Sequence, residues 1–240
     1  DGNRLAWMRQ RFEAADAVEF DTSNLAWLAP LRADVENLRS ALQFGLASMA
    51  PAAVQDDAIR LAAASAMFWV RSGNRREGLR WLQAAEALPS HGETGIWLAH
   101  AVGIFGTYTQ MGNPAEMRAA LRRARPALEA AGDHRRVYLS LYCDCYLEPR
   151  LGATPDFDPM LQRMQACVQP GWGPLAQRFL LLAQAQPMRA DGRMEAYREL
   201  NVRVAAMCRA AGGLAECWPQ DNAVAQALAV QGRLPEACDV

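Results

Sequence analysis

Glycine recurs in this chain at Gly73, Gly112, Gly152, Gly192 and Gly232, an almost constant interval. Each follows a stretch of helical character and opens another, as in Met111-Gly112-Asn113-Pro114 and Gln231-Gly232-Arg233. Glycine enters the left-handed backbone region without a Cβ penalty, which is why it ends helices. A helix stop with a period of about 40 residues predicts stacked helical hairpins, an α-solenoid. Arrays of that kind bind and couple rather than catalyse, so the repeat directs the reading away from an enzyme.

Composition agrees with an all-α chain. Hydrophobic residues make up 51% of the 240, with a surplus of Ala and Leu, both strong helix formers. No convincing run alternates apolar and polar residues as a strand would. The formal net charge is −1, which argues against an electrostatic footprint for nucleic acid. No apolar run reaches the roughly 18 residues of a membrane span, and no basic segment followed by an apolar one opens the chain. The chain begins at Asp1 and stops inside a repeat, so it reads as a piece of a longer cytoplasmic protein. All 25 basic side chains are Arg and none is Lys. A Walker A loop, a kinase lysine and a Schiff-base lysine are therefore impossible within it. No cofactor is expected. The six Cys lie in helical patterns without a C-x-x-C, and read as reduced, buried thiols.

Along the chain, a weak first helix covers about 4–17. A second follows from a cap at Asp21, Thr22 or Ser23 and runs to about 49, with Pro30 as a kink or a delayed start. Leu28, Leu31, Val35, Leu38, Leu42 and Leu46 give it an apolar stripe. Residues 1–50 thus read as helices leading into the array, and 51–240 as one continuous array whose last repeat is truncated. First helices are predicted at 54–72, 93–111, 134–149, 174–190 and 214–230, and second helices at 75–88, 114–131, 156–168, 193–211 and 234–240. Glu77, Glu116, Glu195 and Glu236 fall in the first turns of second helices, where they face the positive helix end. The unit after Gly152 has Asp156 and Asp158 instead, with Pro155 and Pro159, and should be the least regular.

The turn Gly-Asn-x-x-Glu with its apolar flanks resembles the second helix of a tetratricopeptide (TPR) repeat, although the period here is longer than that repeat's own. A more specific stretch is Trp27-Leu28-x-x-Leu31-x-x-Asp34-x-Glu36-Asn37-Leu38-Arg39-x-Ala41-Leu42. It is similar to the segment leading into the repeat domain of signal-transducing ATPase (STAND) regulators. Phe68-Trp69-x-x-Arg71-x-Gly73-x-x-x-Glu77-Gly78-x-x-Trp81-Leu82 resembles the first repeat of that family, while Val35 in the preceding entry stretch departs from the family's pattern. The match covers about residues 24–90; beyond them it holds only at the level of the repeat. The resemblance implies a TPR-like α–α superhelix that senses an effector or protein partner. It would couple that event to NTPase and DNA-binding domains of the same parent chain. The alternative is a free-standing TPR scaffold that binds a peptide or partner protein.

Asn37 and Arg39 are the polar residues most tied to the family stretch. They could contact a preceding NTPase module, or brace the first repeat. Tyr138, Tyr142 and Tyr146 share one helical face by their i, i+4, i+8 spacing, and Tyr108 rides the preceding first helix. These four tyrosines are the candidate groove for a ligand or partner, while Trp97 and Phe105 are expected as interhelix core. Arg118, Arg122, Arg123 and Arg125 read as a solvated face. Cys143 and Cys145 point to opposite sides of a helix, and His91, His100 and His134 are scattered, so no metal site is expected. Gly171-Trp172-Gly173-x-x-Ala176 matches a dinucleotide fingerprint formally, but it lies between two helices and reads as a turn.

Overall fold

The computed structural model describes residues 2–19, 22–152 and 156–240, with the side chains of 214–216 excepted. Every regular element among them is helical. They are α1 Gly2–Ala17, α2 Asn24–Arg32, α3 Val35–Gly45, α4 Ala52–Ala64, α5 Ala66–Arg71, α6 Arg75–Glu86, α7 Gly92–Thr109 and α8 Pro114–Ala130. Then come α9 His134–Leu147, a 3₁₀ turn Pro149–Leu151, α10 Phe157–Cys167, α11 Pro174–Ala190, α12 Met194–Ala210, α13 Leu214–Val230 and α14 Leu234–Cys238. The predicted alternation of helices is reproduced from residue 52 to residue 238.

The helix stops have a common chemistry. Gly73, Gly112, Gly152, Gly192 and Gly232 all have positive φ. After α11 the Arg193 N–H bonds the Met188 carbonyl at 2.8 Å and the Gly192 N–H bonds the Arg189 carbonyl at 3.2 Å. This is the paired closure of a Schellman motif, which satisfies two carbonyls that the helix leaves open. The six-to-one bond of that motif recurs after α8 (Asp133 to Leu128), after α12 (Gly213 to Cys208) and after α13 (Arg233 to Leu228). The helix α7 ends differently. Its left-handed residue is Gln110 at φ 57°, and Gly112 follows at φ 114°.

Two predicted helices are broken in the structure. The span 24–49 divides into α2 and α3 around Asp34, not at Pro30, which lies inside α2. Arg11 of α1 donates Nη2 to the Pro30 carbonyl at 2.7 Å and Nε to Asp34 at 2.5 Å, so another helix captures the groups at the break. The span 54–72 divides at Ser65, whose buried hydroxyl bonds the Ala62 carbonyl at 3.2 Å and competes with the helical ladder. In the unit after Gly152, the 3₁₀ turn replaces a smooth helix end, and Asp156 caps α10 by accepting from the Asp158 N–H. Asp21 and Pro155 lie outside the described residues.

The chain divides into two compact units, Asp1–Glu19 with Ala26–Arg136, and Phe20–Leu25 with Val137–Val240. In the first, α1 packs on α3 and α4, α4 and α5 pack on α6 and α7, and α7 packs on α8. Phe12 of α1 and Phe68 of α5 meet edge-to-face at 5.5 Å, and Trp69 and Phe105 are fully buried. The α7–α8 crossing is so close that a Cβ on Gly103 would lie 2.5 Å from Leu121 Cγ; only glycine permits that approach. In the second unit each helix from α10 to α14 packs on the next. Leu175, Val204, Ala205, Cys208 and Cys217 form one buried cluster there, and Ala185, Tyr197, Leu200 and Ala227 another.

Five cysteines are buried free thiols, while Cys238 is exposed, a departure from the uniform burial predicted. Cys143 and Cys145 are both buried, as is Asp144 between them. Arg125 is buried rather than part of a solvated face. No helix among the described residues is long and apolar enough to cross a membrane.

Replacing Gly112 by Val places a β-branched side chain at φ 114°, which costs on the order of 1–3 kcal/mol. The expected result is a clearly lowered Tm in thermal unfolding. An unchanged Tm would show that the α7–α8 turn does not need the glycine backbone.

Candidate functional site

Arg39 on α3 grips Glu77 on α6 through two bonds, Nε to Oε1 at 2.8 Å and Nη2 to Oε2 at 2.7 Å. Trp81 Nε1 donates to the same carboxylate at 3.3 Å. The hydrogen bonds from Arg39 hold Glu77 below the usual carboxylate range. Arg39 therefore ties α3 to the start of α6, within the first unit, and Asn37 is exposed beside it.

The four candidate tyrosines are divided between the units. Tyr108 is half-buried on α7 in the first; Tyr138, Tyr142 and Tyr146 lie on α9 in the second. Tyr138 is fully buried. Its hydroxyl donates to the Ala176 carbonyl at 3.2 Å and accepts the Leu180 N–H at 2.8 Å. The phenol bridges a donor and an acceptor one turn apart on α11 and locks α9 to it, while Trp172 and Phe179 pack on the ring. Tyr142 is half-buried with its ring 5.0 Å from Phe179, and burial pushes both phenols up. Tyr146 lies under the Arg150 guanidinium, 3.5 Å from its ring centre.

A dense polar constellation lies elsewhere, within the first unit, where the end of α1 meets residues of α4, α5 and α9. Leu5, Met8 and Phe12 of α1 recur at three and four residues and are fully buried. Glu13 and Asp16 follow along the edge of that stripe. Arg60 of α4 donates Nε to Glu13 at 2.9 Å, and Arg9 Nε lies 3.1 Å from Asp57. Asp16 accepts Arg136 Nη2 of α9 at 2.7 Å, with Arg135 Nη1 at 3.7 Å. Glu19, just past α1, is buried and pairs with Arg71 of α5 and, at 3.3 Å, with Arg135.

Aromatic rings complete the arrangement. The guanidinium groups of Arg60 and Arg136 lie over the Trp97 ring, 4.5 and 3.9 Å from its centroid. That of Arg71 lies 5.3 Å from the Trp27 centroid, and Trp27 Nε1 donates to the Ala15 carbonyl of α1 at 2.8 Å. Trp97 is thus a half-buried platform for arginines, not the interhelix core residue predicted; Phe105 is core. One turn on, His100 is buried with Nε2 3.1 Å from the Arg136 carbonyl. Asp133 caps α9, accepting the Arg136 N–H at 3.0 Å and its Nη1 at 2.5 Å.

Magnitudes assign these pairs a role. Exposed ion pairs contribute about 0–1 kcal/mol. In the Arg71–Glu19 pair both side chains are less than a tenth exposed. Removing one partner of such a pair strands the other and costs roughly 3–5 kcal/mol, though the intact pair adds little net stability. Each arginine over a tryptophan adds about 0.5–2 kcal/mol. The network therefore specifies where α1 lies more than it stabilises the whole. None of these partners stands out in the sequence, because the pairs join residues 47 to 120 apart. The one local signal is the spacing of Glu13, Asp16 and Glu19 at every third residue.

Chemically, the α4, α5, α7 and α9 side chains offer forked donors and an aromatic platform, a combination that takes carboxylates. Two clefts of about 470 and 390 Å³ share Glu86 and Arg123 and contain none of the six residues proposed from sequence. Among the described residues no group of three His, Cys, Asp or Glu could hold a metal ion. No protein-family model, curated protein or solved structure matches the chain.

Burial, aided by the charge of Arg136, pushes His100 from 6.5 down to about 3. Between those values the unfolded chain binds a proton that the folded chain refuses, so stability is unaffected by His100 above 6.5 and falls as pH drops below it. At about 1.4 kcal/mol per pH unit, urea unfolding at pH 4 should show a loss of about 3 kcal/mol from this group. The loss should be absent in His100→Gln. Equal acid slopes in the two proteins would show that His100 titrates freely in the fold. For Tyr138→Phe, the lost hydroxyl leaves Leu180 N–H and Ala176 C=O without their bridge, a cost of about 1–3 kcal/mol by urea unfolding. No change would mean that the α11 ladder closes without the phenol.

Proposed function

We propose that this chain is a non-catalytic recognition module in which the helical hairpins form a TPR-like α-solenoid. The observation that carries this reading is the arginine-lined face of the first unit. Arg60, Arg71, Trp97, Arg135 and Arg136 all belong to helices in the first position of a hairpin. First helices line the concave side of a TPR-like array, so side chains gathered from successive repeats suit the capture of an extended or helical segment. The recurring left-handed glycines, with their period of about 40 residues, support the repeat itself.

Within that reading, the resemblance of residues 24–90 to signal-transducing ATPase regulators supports a role as a cytoplasmic sensor arm. A protein partner or small-molecule effector would bind the array and shift the regulator between states. The NTPase and DNA-binding parts would belong to the parent chain, and this module would bind no nucleic acid. The segment Trp27 to Leu42 carries the resemblance, and its Arg39–Glu77 clamp joins it to the first hairpin.

Sequencing the coding DNA on both sides of this chain tests the proposal. An upstream P-loop and winged-helix segment is the expected result. An open reading frame that holds only further repeats would overturn the regulator role and leave a free-standing scaffold.

A further inference from the structure

Within the first unit, α6 and α8 both pack on α7. The two clefts of about 470 and 390 Å³ lie along these three helices, and each has the size of a small-molecule pocket. They have two lining residues in common, Glu86 of α6 and Arg123 of α8. Partial desolvation lifts the Glu86 carboxyl above its ordinary value; Arg123 acts against the lift through charge alone, without a hydrogen bond between the two. Two opposite charges thus face one space, and each keeps bonding capacity that the other leaves open. The smaller cleft adds an apolar floor, where buried Leu82, Phe105 and Met117 lie beside Val102. Gly106 gives Met117 its place at that floor, since a Cβ there would lie 2.8 Å from Met117 Cγ. Over both clefts the titratable lining is Glu86, Glu116, His91 and Arg123. A ligand that is only anionic meets two carboxylates here, and one that is only cationic meets the guanidinium at the shared edge.

We propose that the cleft between α6 and α8 binds a free apolar α-amino acid. Its ammonium group meets Glu86, its carboxylate meets Arg123, and its side chain lies on Leu82, Phe105 and Met117. The proposal rests on the reading of the chain as a recognition module, and adds the chemical class of its effector. A zwitterion supplies to each charge the counter-charge that the fold does not bring into contact, and the apolar floor favours a ligand with an apolar side chain. Arg60, Arg71, Arg135 and Arg136 do not line either cleft. An effector here and a partner on the arginine-lined face therefore occupy separate sites.

The test is calorimetric titration of the intact chain with L-leucine, L-methionine and L-phenylalanine. At least one is expected to bind with a Kd below about 1 mM. Two analogues of the tightest binder then read the charges, one without the ammonium and one without the carboxylate (for leucine, 4-methylpentanoate and 3-methylbutylamine). Each analogue should bind about tenfold more weakly than its parent, or worse. Glu86→Gln should remove the preference over the carboxylate analogue, and Arg123→Gln the preference over the amine. Both side chains are exposed, so neither substitution should move the Tm. Weaker binding by all three amino acids overturns the proposal. So does an analogue that binds as tightly as its parent, or an unchanged affinity for the amino acid in either variant. The measurement is made on this chain alone: flanking DNA that encodes only repeats would leave amino-acid binding intact, and a failed titration would leave the regulator reading standing.

Discussion

An amphipathic helix in water cannot bury its apolar face by itself; it must stop, turn back and lie against another. Everything in this chain follows from that constraint. The left-handed residues that close the helices satisfy open carbonyls at the stop and aim the chain back along the helix it has just left. Neighbouring helices then share one buried face, and glycine at a tight crossing, Gly103 on Leu121, removes the side chain that would hold them apart. Stops, return and close approach all act locally, so the same solution can be used at each period.

The polar network of the first unit builds on that frame. Arginine is the only strong base in the chain, and the network shows what it does that lysine could not. A single guanidinium, that of Arg136, lies over the Trp97 ring while its nitrogens meet Asp16 and Asp133. Lysine offers a compact charge without a planar face or a fork. The same logic holds for Arg39, whose two nitrogens meet both oxygens of Glu77. Positions such as these gain their strength from geometry more than from charge, and they decide which helices meet.

Burial and polarity are matched with care around α9. The Tyr138 phenol, the His100 imidazole and the Asp133 carboxylate each hold a backbone group at a helix end or between helices. All are polar groups in low-exposure sites, where an unmet donor or acceptor costs more than a met one contributes. They give the helices a particular register against one another, which apolar packing alone would leave loosely specified.

Helical content, a positive-φ glycine in the turn at each marker position and the order of the helices were legible in the sequence, because helix propensity, period and turn chemistry are properties of neighbouring residues. The breaks at Asp34 and Ser65 were not, since Arg11 reaches the first from another helix and a buried hydroxyl makes the second. The tyrosine stripe of α9 was visible by spacing, yet only packing showed that Tyr138 bridges the backbone of α11. The arginine-lined face was hidden for a deeper reason. Glu19 and Arg135, or Asp16 and Arg136, are 116 and 120 residues apart, and nothing in either segment names the other. Local interactions therefore determined the helices of this protein. The tertiary structure decided which charges they bring together, because that depends on which helices pack against one another.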